Sequence, residues 1–223
     1  MKFKTLLAIA LLPSVLATTA HADELGGEIE LGVWNTTQNS TNGSTARGNV
    51  FMIAGQFEHP IPLLPNLRFD ALTINNKNVA VTQSAFTGYW QIMDSDRMEL
   101  DVGAGVTAAY DGSFANRKDS RKLVIGLEKQ VTNVDDVMPH IYAAARIAVP
   151  FIENLSIFSN YYRYEDHRSG GYDIRGGLKY NYSVGGVAAL IIRAGYRKLD
   201  GDFLHHTKSL NSNGAFVSVA LAA

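Results

Sequence analysis

The sequence contains no cysteine. In an exported chain this excludes a disulfide framework and a lipid-modified cysteine anchor, so hydrogen bonding and packing must hold the fold. Past the first 22 residues there is no long apolar run either. The best stretch, Val187 to Ile192, is cut by Arg193 and falls well short of the roughly 20 residues a membrane helix needs. Proline is scarce, and three of the six prolines crowd together at Pro60, Pro62 and Pro65. An excess of positive charge is also missing. Without Lys2 and Lys4 the chain has 18 basic against 21 acidic side chains, a net charge of −3, which excludes the basic surface of a nucleic-acid binder.

What is present begins with a secretory signal. Lys2 and Lys4 form a basic start, Leu6 to Leu12 is apolar, and Ala20-His21-Ala22 has the small-x-small form of a cleavage site. Residues 1–22 are expected to be removed, and residues 23–223 to form a single domain.

That domain is built on strict alternation. Asp173, Arg175, Gly177, Lys179 and Asn181 alternate with Ile174, Gly176, Leu178, Tyr180 and Tyr182. Charge on one face and aliphatic or aromatic side chains on the other is what a strand needs between a polar lumen and lipid. In lipid only helices and closed barrels satisfy every backbone group. With no helical span available, the pattern predicts an all-β, transmembrane, antiparallel up-and-down barrel in the bacterial outer membrane.

The periodicity predicts ten strands: Gly27–Asn35, Asn49–His59, Leu67–Asn76, Ala80–Met93, Met98–Ala108, His140–Val149, Leu155–Glu165, Tyr172–Ser183, Val187–Leu199 and Gly214–Ala223. Eight is the alternative, should the third and fourth strands not form a hairpin. The third slips near Leu72 and Ile74, which suggests a bulge. Thr36–Arg47, Asp111–Pro139 and Asp200–Asn213 read as long polar loops. The connections after strands two, four, six and eight are short or proline-stiffened. Short periplasmic turns and long external loops are the bacterial arrangement, so both termini are expected in the periplasm.

These facings send Glu28, Glu30, Glu58, Asp70, Glu99, Asp101 and Asp173 into the lumen as acids. They send Arg68, Arg146, Arg175, Lys179, Arg193 and Arg197 there as bases. Near-balanced signs favour mutual pairing, and a small barrel filled by paired side chains is a plug. A narrow channel lined by the same groups is the functional rival. Inward glycines such as Gly103 and Gly105 either leave luminal space or permit strand coiling. Trp34, Trp90, Tyr110, Tyr161, Tyr164, Tyr172, Tyr182 and Tyr196 fall near strand ends, where interfacial girdles are expected.

A catalytic reading needs a nucleophile or activated water beside an oriented base. His205-His206-Thr207-Lys208-Ser209, with Asp111, Asp119, Asp166 and His167, could supply those types. Adjacent histidines on a polar loop are usually solvated. No spacing is diagnostic of a metal site at His205, His206 and His167. The expectation is no catalytic residue, no metal and no cofactor.

Leu25-Gly26-Gly27-Glu28, His59-Pro60-Ile61-Pro62-Leu63-Leu64-Pro65-Asn66-Leu67-Arg68, Ala194-Gly195-Tyr196-Arg197 and Gly214-Ala215-Phe216-Val217 together resemble a family of small outer-membrane β-barrel proteins of gamma-proteobacteria. The resemblance covers nearly the whole mature chain, and its proline-rich turn is the most specific part. It implies the fold and the location; the family has no established activity to carry over. One departure concerns the end of the chain. Such barrels generally close on an aromatic residue that the assembly machinery recognises, whereas this chain ends in Ala223.

The resulting expectation is a monomer in contact with outer-membrane lipid and lipopolysaccharide, inserted by the barrel assembly machinery. Its lumen is largely plugged and its role structural or surface-interactive. A narrow channel for small polar solutes comes second, a membrane-surface enzyme third. A soluble, lipocalin-like periplasmic carrier, with the facings reversed, comes fourth.

Overall fold

The computed structural model describes residues 25–40, 45–61, 63–75, 79–115, 131–167, 169–184, 188–203 and 208–223. The signal sequence lies outside them, as do residues 116–130 of the expected loop Asp111–Pro139. Ten strands follow in order: β1 Gly26–Ser40, β2 Thr45–Glu58, β3 Asn66–Asn75, β4 Val79–Asp94, β5 Met98–Ala115, β6 Val131–Ala148, β7 Leu155–Glu165, β8 Gly170–Val184, β9 Ala188–Phe203 and β10 Lys208–Ala222. Each pairs antiparallel with its sequence neighbours, and β10 pairs back onto β1 to close the ring. The hairpin of β3 and β4 is continuous from Asn66↔Tyr89 to Asn75↔Ala80, so the count is ten rather than eight. The last strand is the closing strand despite its non-aromatic end: Gly27 and Ala223 exchange backbone hydrogen bonds of 2.8 and 3.0 Å.

The ladder is staggered. From Gly32 the partners in one direction are Met52, Leu72, Gln83, Ala109 and Asp136. In the other they are Ser218, Arg193, Lys179, Ser156 and Ala148. The two walks meet on β6 twelve residues apart, from Asp136 to Ala148, the shear of a ten-stranded barrel tilted roughly 40°. Some inward glycines serve this coiling rather than luminal space. Gly177 lies opposite Gly195, and a Cβ on either would run into the backbone of the other strand.

The strands overrun the expected loops. β1 continues through Thr36 to Ser40, β5 and β6 take up both flanks of Asp111–Pro139, and β9 and β10 take up most of Asp200–Asn213. β5 and β6 each have 18 residues, whereas a bilayer crossing needs about 9–11. The barrel therefore stands proud of the membrane at the rim away from the termini, called the distal rim below. Pro139, expected in a loop, sits inside β6 opposite Val106. Pairing of β6 with β7 begins only at His140, so one side of β6 is outside the ladder there, where proline is tolerated.

No bulge interrupts β3. Register shifts fall instead between Ala80 and Thr82, between Gln91 and Met93, and between Ala109 and Gly112. The slip read at Leu72 and Ile74 has another cause: both side chains point inward and are buried.

Candidate functional site: the lumen and its seal

The barrel reverses its polarity along its axis. Through the membrane section the outer face is apolar: Leu31, Phe51, Ile53, Phe69, Phe86, Ile141, Ile174, Val217 and Val219 are all exposed. Nearer the distal rim the same face turns polar. There Asn35 donates to Asn49 at 2.9 Å, Arg163 pairs with Glu165 at 2.9 Å, and Asn211 donates to Asp200 at 2.6 Å. The interior changes in the opposite sense. Behind the apolar belt it is charged; behind the polar collar large apolar side chains fill it, beside the uncharged Thr36, Gln38 and Ser212. A strand must bury whichever face its surroundings reject, so leaving lipid for water inverts the pattern. The reversed facings of the soluble-carrier alternative hold in the collar alone.

The charged band forms three groups. In the first, Arg175 grips Glu30 with both guanidinium nitrogens at 3.0 and 3.1 Å. Arg193 bridges Glu30 at 3.3 Å and Glu28 at 2.7 Å. Strands β8 and β9 supply the bases and β1 the acids, so the group ties β1 across β10 to strands two and three places along the wall. In the second, Arg68 holds Asp70 through two contacts of 2.7 Å. Gln56 and Tyr162 each add a bond of 3.0 Å to Arg68, and Tyr162 also donates to Asp70 at 2.5 Å. In the third, Arg197 pairs with Asp173, its Nε 3.0 Å from Oδ1, and lies 5.4 Å from the Trp34 ring. Arg146 and Glu99, at 2.7 Å, pair toward the rim that carries the termini. Bidentate geometry of this kind is the strong form of an ion pair.

Among the described residues, three of the thirteen charged lumen residues do not join ion pairs. Glu58 accepts a 2.9 Å bond from Tyr89 instead. Asp101 is buried, and its Oδ1 has no hydrogen-bond partner among the described residues. Lys179 makes no ion pair among them.

The distal half of the lumen is closed by Val50, Ile74, Met138, Tyr164, Leu199 and Leu210, each 0–1 % exposed. Trp34, also fully buried, belongs to the same apolar cluster and donates from Nε1 to the Gly214 carbonyl at 3.1 Å. Trp34 and Tyr164 are thus interior plugs rather than girdle residues. Trp90, Tyr110, Tyr161, Tyr172, Tyr182 and Tyr196 keep outward positions. Sequence reading also passed over His140. Its Nε2 and Nδ1 lie 3.0 and 2.9 Å from the Thr87 and Thr107 hydroxyls, and its ring meets Tyr162 edge-on at 5.4 Å. The alternation of β6, with His140 two residues before inward Tyr142, was the available signal.

On the outer wall a shallow apolar groove of about 560 Å³ crosses β10, β1, β2 and β3, where Ala71 and Thr73 are small beside Leu31 and Phe51. Of the catalytic candidates, His205, His206, Thr207 and Asp119 lie outside the described residues, as does the side chain of Asp111. His167 is exposed beside Asp166, whose carboxylate accepts its backbone N–H at 2.6 Å. Among the described residues no three His, Asp or Glu side chains are grouped to hold a metal.

A barrel in water could not leave Phe51, Phe86, Ile141 and Val217 exposed while burying Glu28 and Arg193. A closed ladder leaves no backbone edge unpaired in lipid. The chain is an outer-membrane β-barrel protein. No family model matches it, and no curated protein matches it in sequence. Among solved structures it is similar at 10% identity to the outer membrane protease OmpT of Escherichia coli, with a TM-score of 0.47 over 93% of this chain and 99% of that one. It is also similar to Neisserial surface protein A, at 10% identity and a TM-score of 0.37 over 90% and 99%. The N-terminal β-barrel domain of Pseudomonas aeruginosa OprF follows at 7% identity and 0.39 over 90% and 100%.

Proposed function

We propose that this protein is a closed barrel with a structural or surface-interaction role. Its polar distal collar faces the outside, its termini lie in the periplasm, and no reaction is catalysed. The observation that carries the reading is the apolar layer across the distal lumen, in which Ile74, Met138, Leu199 and Leu210 are all but fully buried. Ions need water, and such a layer offers them no polar path. The partners that fit are outer-membrane lipid and lipopolysaccharide, with the barrel assembly machinery during insertion and no nucleic acid. The protein acts as a monomer and belongs with the small gamma-proteobacterial barrels its turns resemble. A narrow channel for small polar solutes is the second reading; Asp101 and Lys179, which make no ion pairs among the described residues, favour it. Single-channel recording of the refolded protein in planar bilayers separates the two. A flat current across the accessible voltages is expected, and discrete conductance steps would replace the closed reading with the channel.

A further inference from the structure

Two connections on the rim that carries the termini share one sequence pattern. Pro62-Leu63-Leu64-Pro65-Asn66-Leu67 joins β2 to β3, and Pro150-Phe151-Ile152-Glu153-Asn154-Leu155 joins β6 to β7. The likeness extends to the backbone. Leu63 and Phe151, in corresponding positions, adopt φ of 72° and 66°, a conformation that bulky L residues avoid and that glycine takes freely. Each nevertheless carries a large apolar side chain, and each displays it, at 66% and 105% exposure. Ile61, Leu64 and Ile152 beside them are more than half exposed as well.

The first turn leans over the lipid-facing wall. Trp90 donates from its indole nitrogen to the Leu63 carbonyl at 3.2 Å. A Cβ on Gly88 would come within 3.2 Å of Pro65. Gly88 and Trp90 both belong to the outward-facing set of β4. The second turn is tied down by Val149 donating to Leu155 at 2.8 Å and Asn181 donating to Asn154 at 3.0 Å. Its tip continues the exposed apolar row of Ile147, Ile157 and Tyr180. In both turns the apolar surface is an extension of the lipid-facing belt, which identifies the occupant as phospholipid rather than a soluble protein. The two turns are four strands apart one way round the ring and six the other, so they stand on nearly opposite sides.

We propose that these two turns are paired membrane anchors. Leu63 and Phe151 dip into the boundary between headgroups and acyl chains on the terminal side, and they fix the depth and tilt of the barrel.

The absence of native cysteine allows single-site labelling. Leu63→Cys, Phe151→Cys and, as the water-exposed control on the same rim, Asp96→Cys are each labelled with an environment-sensitive fluorophore. They are reconstituted in phosphatidylethanolamine–phosphatidylglycerol vesicles with shallow spin-labelled phospholipid. The labels at positions 63 and 151 should be quenched by the spin-labelled lipid and be several-fold less accessible to iodide than the label at 96. Iodide access equal to that of position 96, without quenching by lipid, would overturn the proposal and leave the tips free for a soluble partner. Ile61→Cys and Ile152→Cys, at ordinary backbone conformations on the same turns, give the same reading if the first pair fails to fold.

Discussion

Replacing Glu30 with leucine should lower the free energy of unfolding by about 3–5 kcal/mol, the loss typical when one member of a buried ion pair is removed. Glu30 is the centre of its group: it neutralises Arg175 through two contacts and shares Arg193 with Glu28. Its side chain is 3% exposed and those of the two arginines 7%, so solvent screens the group weakly. The substitution leaves Arg175 buried without its carboxylate, whereas Arg193 keeps Glu28. Adding Arg175→Met to Glu30→Leu should therefore recover most of the loss, because a buried pair exchanged for apolar side chains is often neutral. Urea unfolding followed by heat-modifiable gel mobility and tryptophan fluorescence measures both variants. A loss below about 1 kcal/mol for the single variant, the value of an exposed pair, would mean that water fills this part of the lumen and would count against a plugged interior.

The membrane section of this barrel was legible from sequence because there the alternation is simplest. Asp173 to Tyr182 reads with a period of two, and the structure places Asp173 and Arg175 inward and Ile174, Leu178 and Tyr180 outward. β7 coincides with its expected span, Leu155–Glu165. Tyr161, Tyr162 and Tyr164 crowd its end, and because tyrosine suits both a lumen and an interface, composition alone does not give its facing. Legibility failed where the barrel leaves the membrane. Outside lipid a strand's outer face takes Asn, Ser and Thr, the composition that signals a loop. Thr36 to Ser40 and Lys208 to Asn213 were misread for that reason, although Gln38, Leu210 and Ser212 are buried inward on an unbroken alternation. The same inversion disguised Leu72 and Ile74 as a bulge. A single facing rule applied to the whole length of a strand assumes one solvent; this barrel has two.

That inversion puts the largest apolar burden on one residue. Trp34→Ala should destabilise the fold by about 3–5 kcal/mol, as for other large-to-small core substitutions of aromatic residues. Trp34 is fully buried, lies under the guanidinium of Arg197 at 5.4 Å and anchors β1 to β10 through its bond to Gly214. The void left behind borders Arg197, yet Val50, Ile74, Leu199 and Leu210 of the same cluster remain in place. Water that enters the void beside Arg197 still meets that layer, so the variant should be less stable in urea and still silent in planar bilayers. Ile74→Asp, which sets a carboxylate into the layer itself, should hydrate it and admit current in whatever fraction folds. The two variants therefore separate bulk from polarity as the cause of closure. Current steps from Trp34→Ala alone would show that one indole ring, rather than the layer around it, blocks the lumen, and would turn the closed barrel into a gated channel.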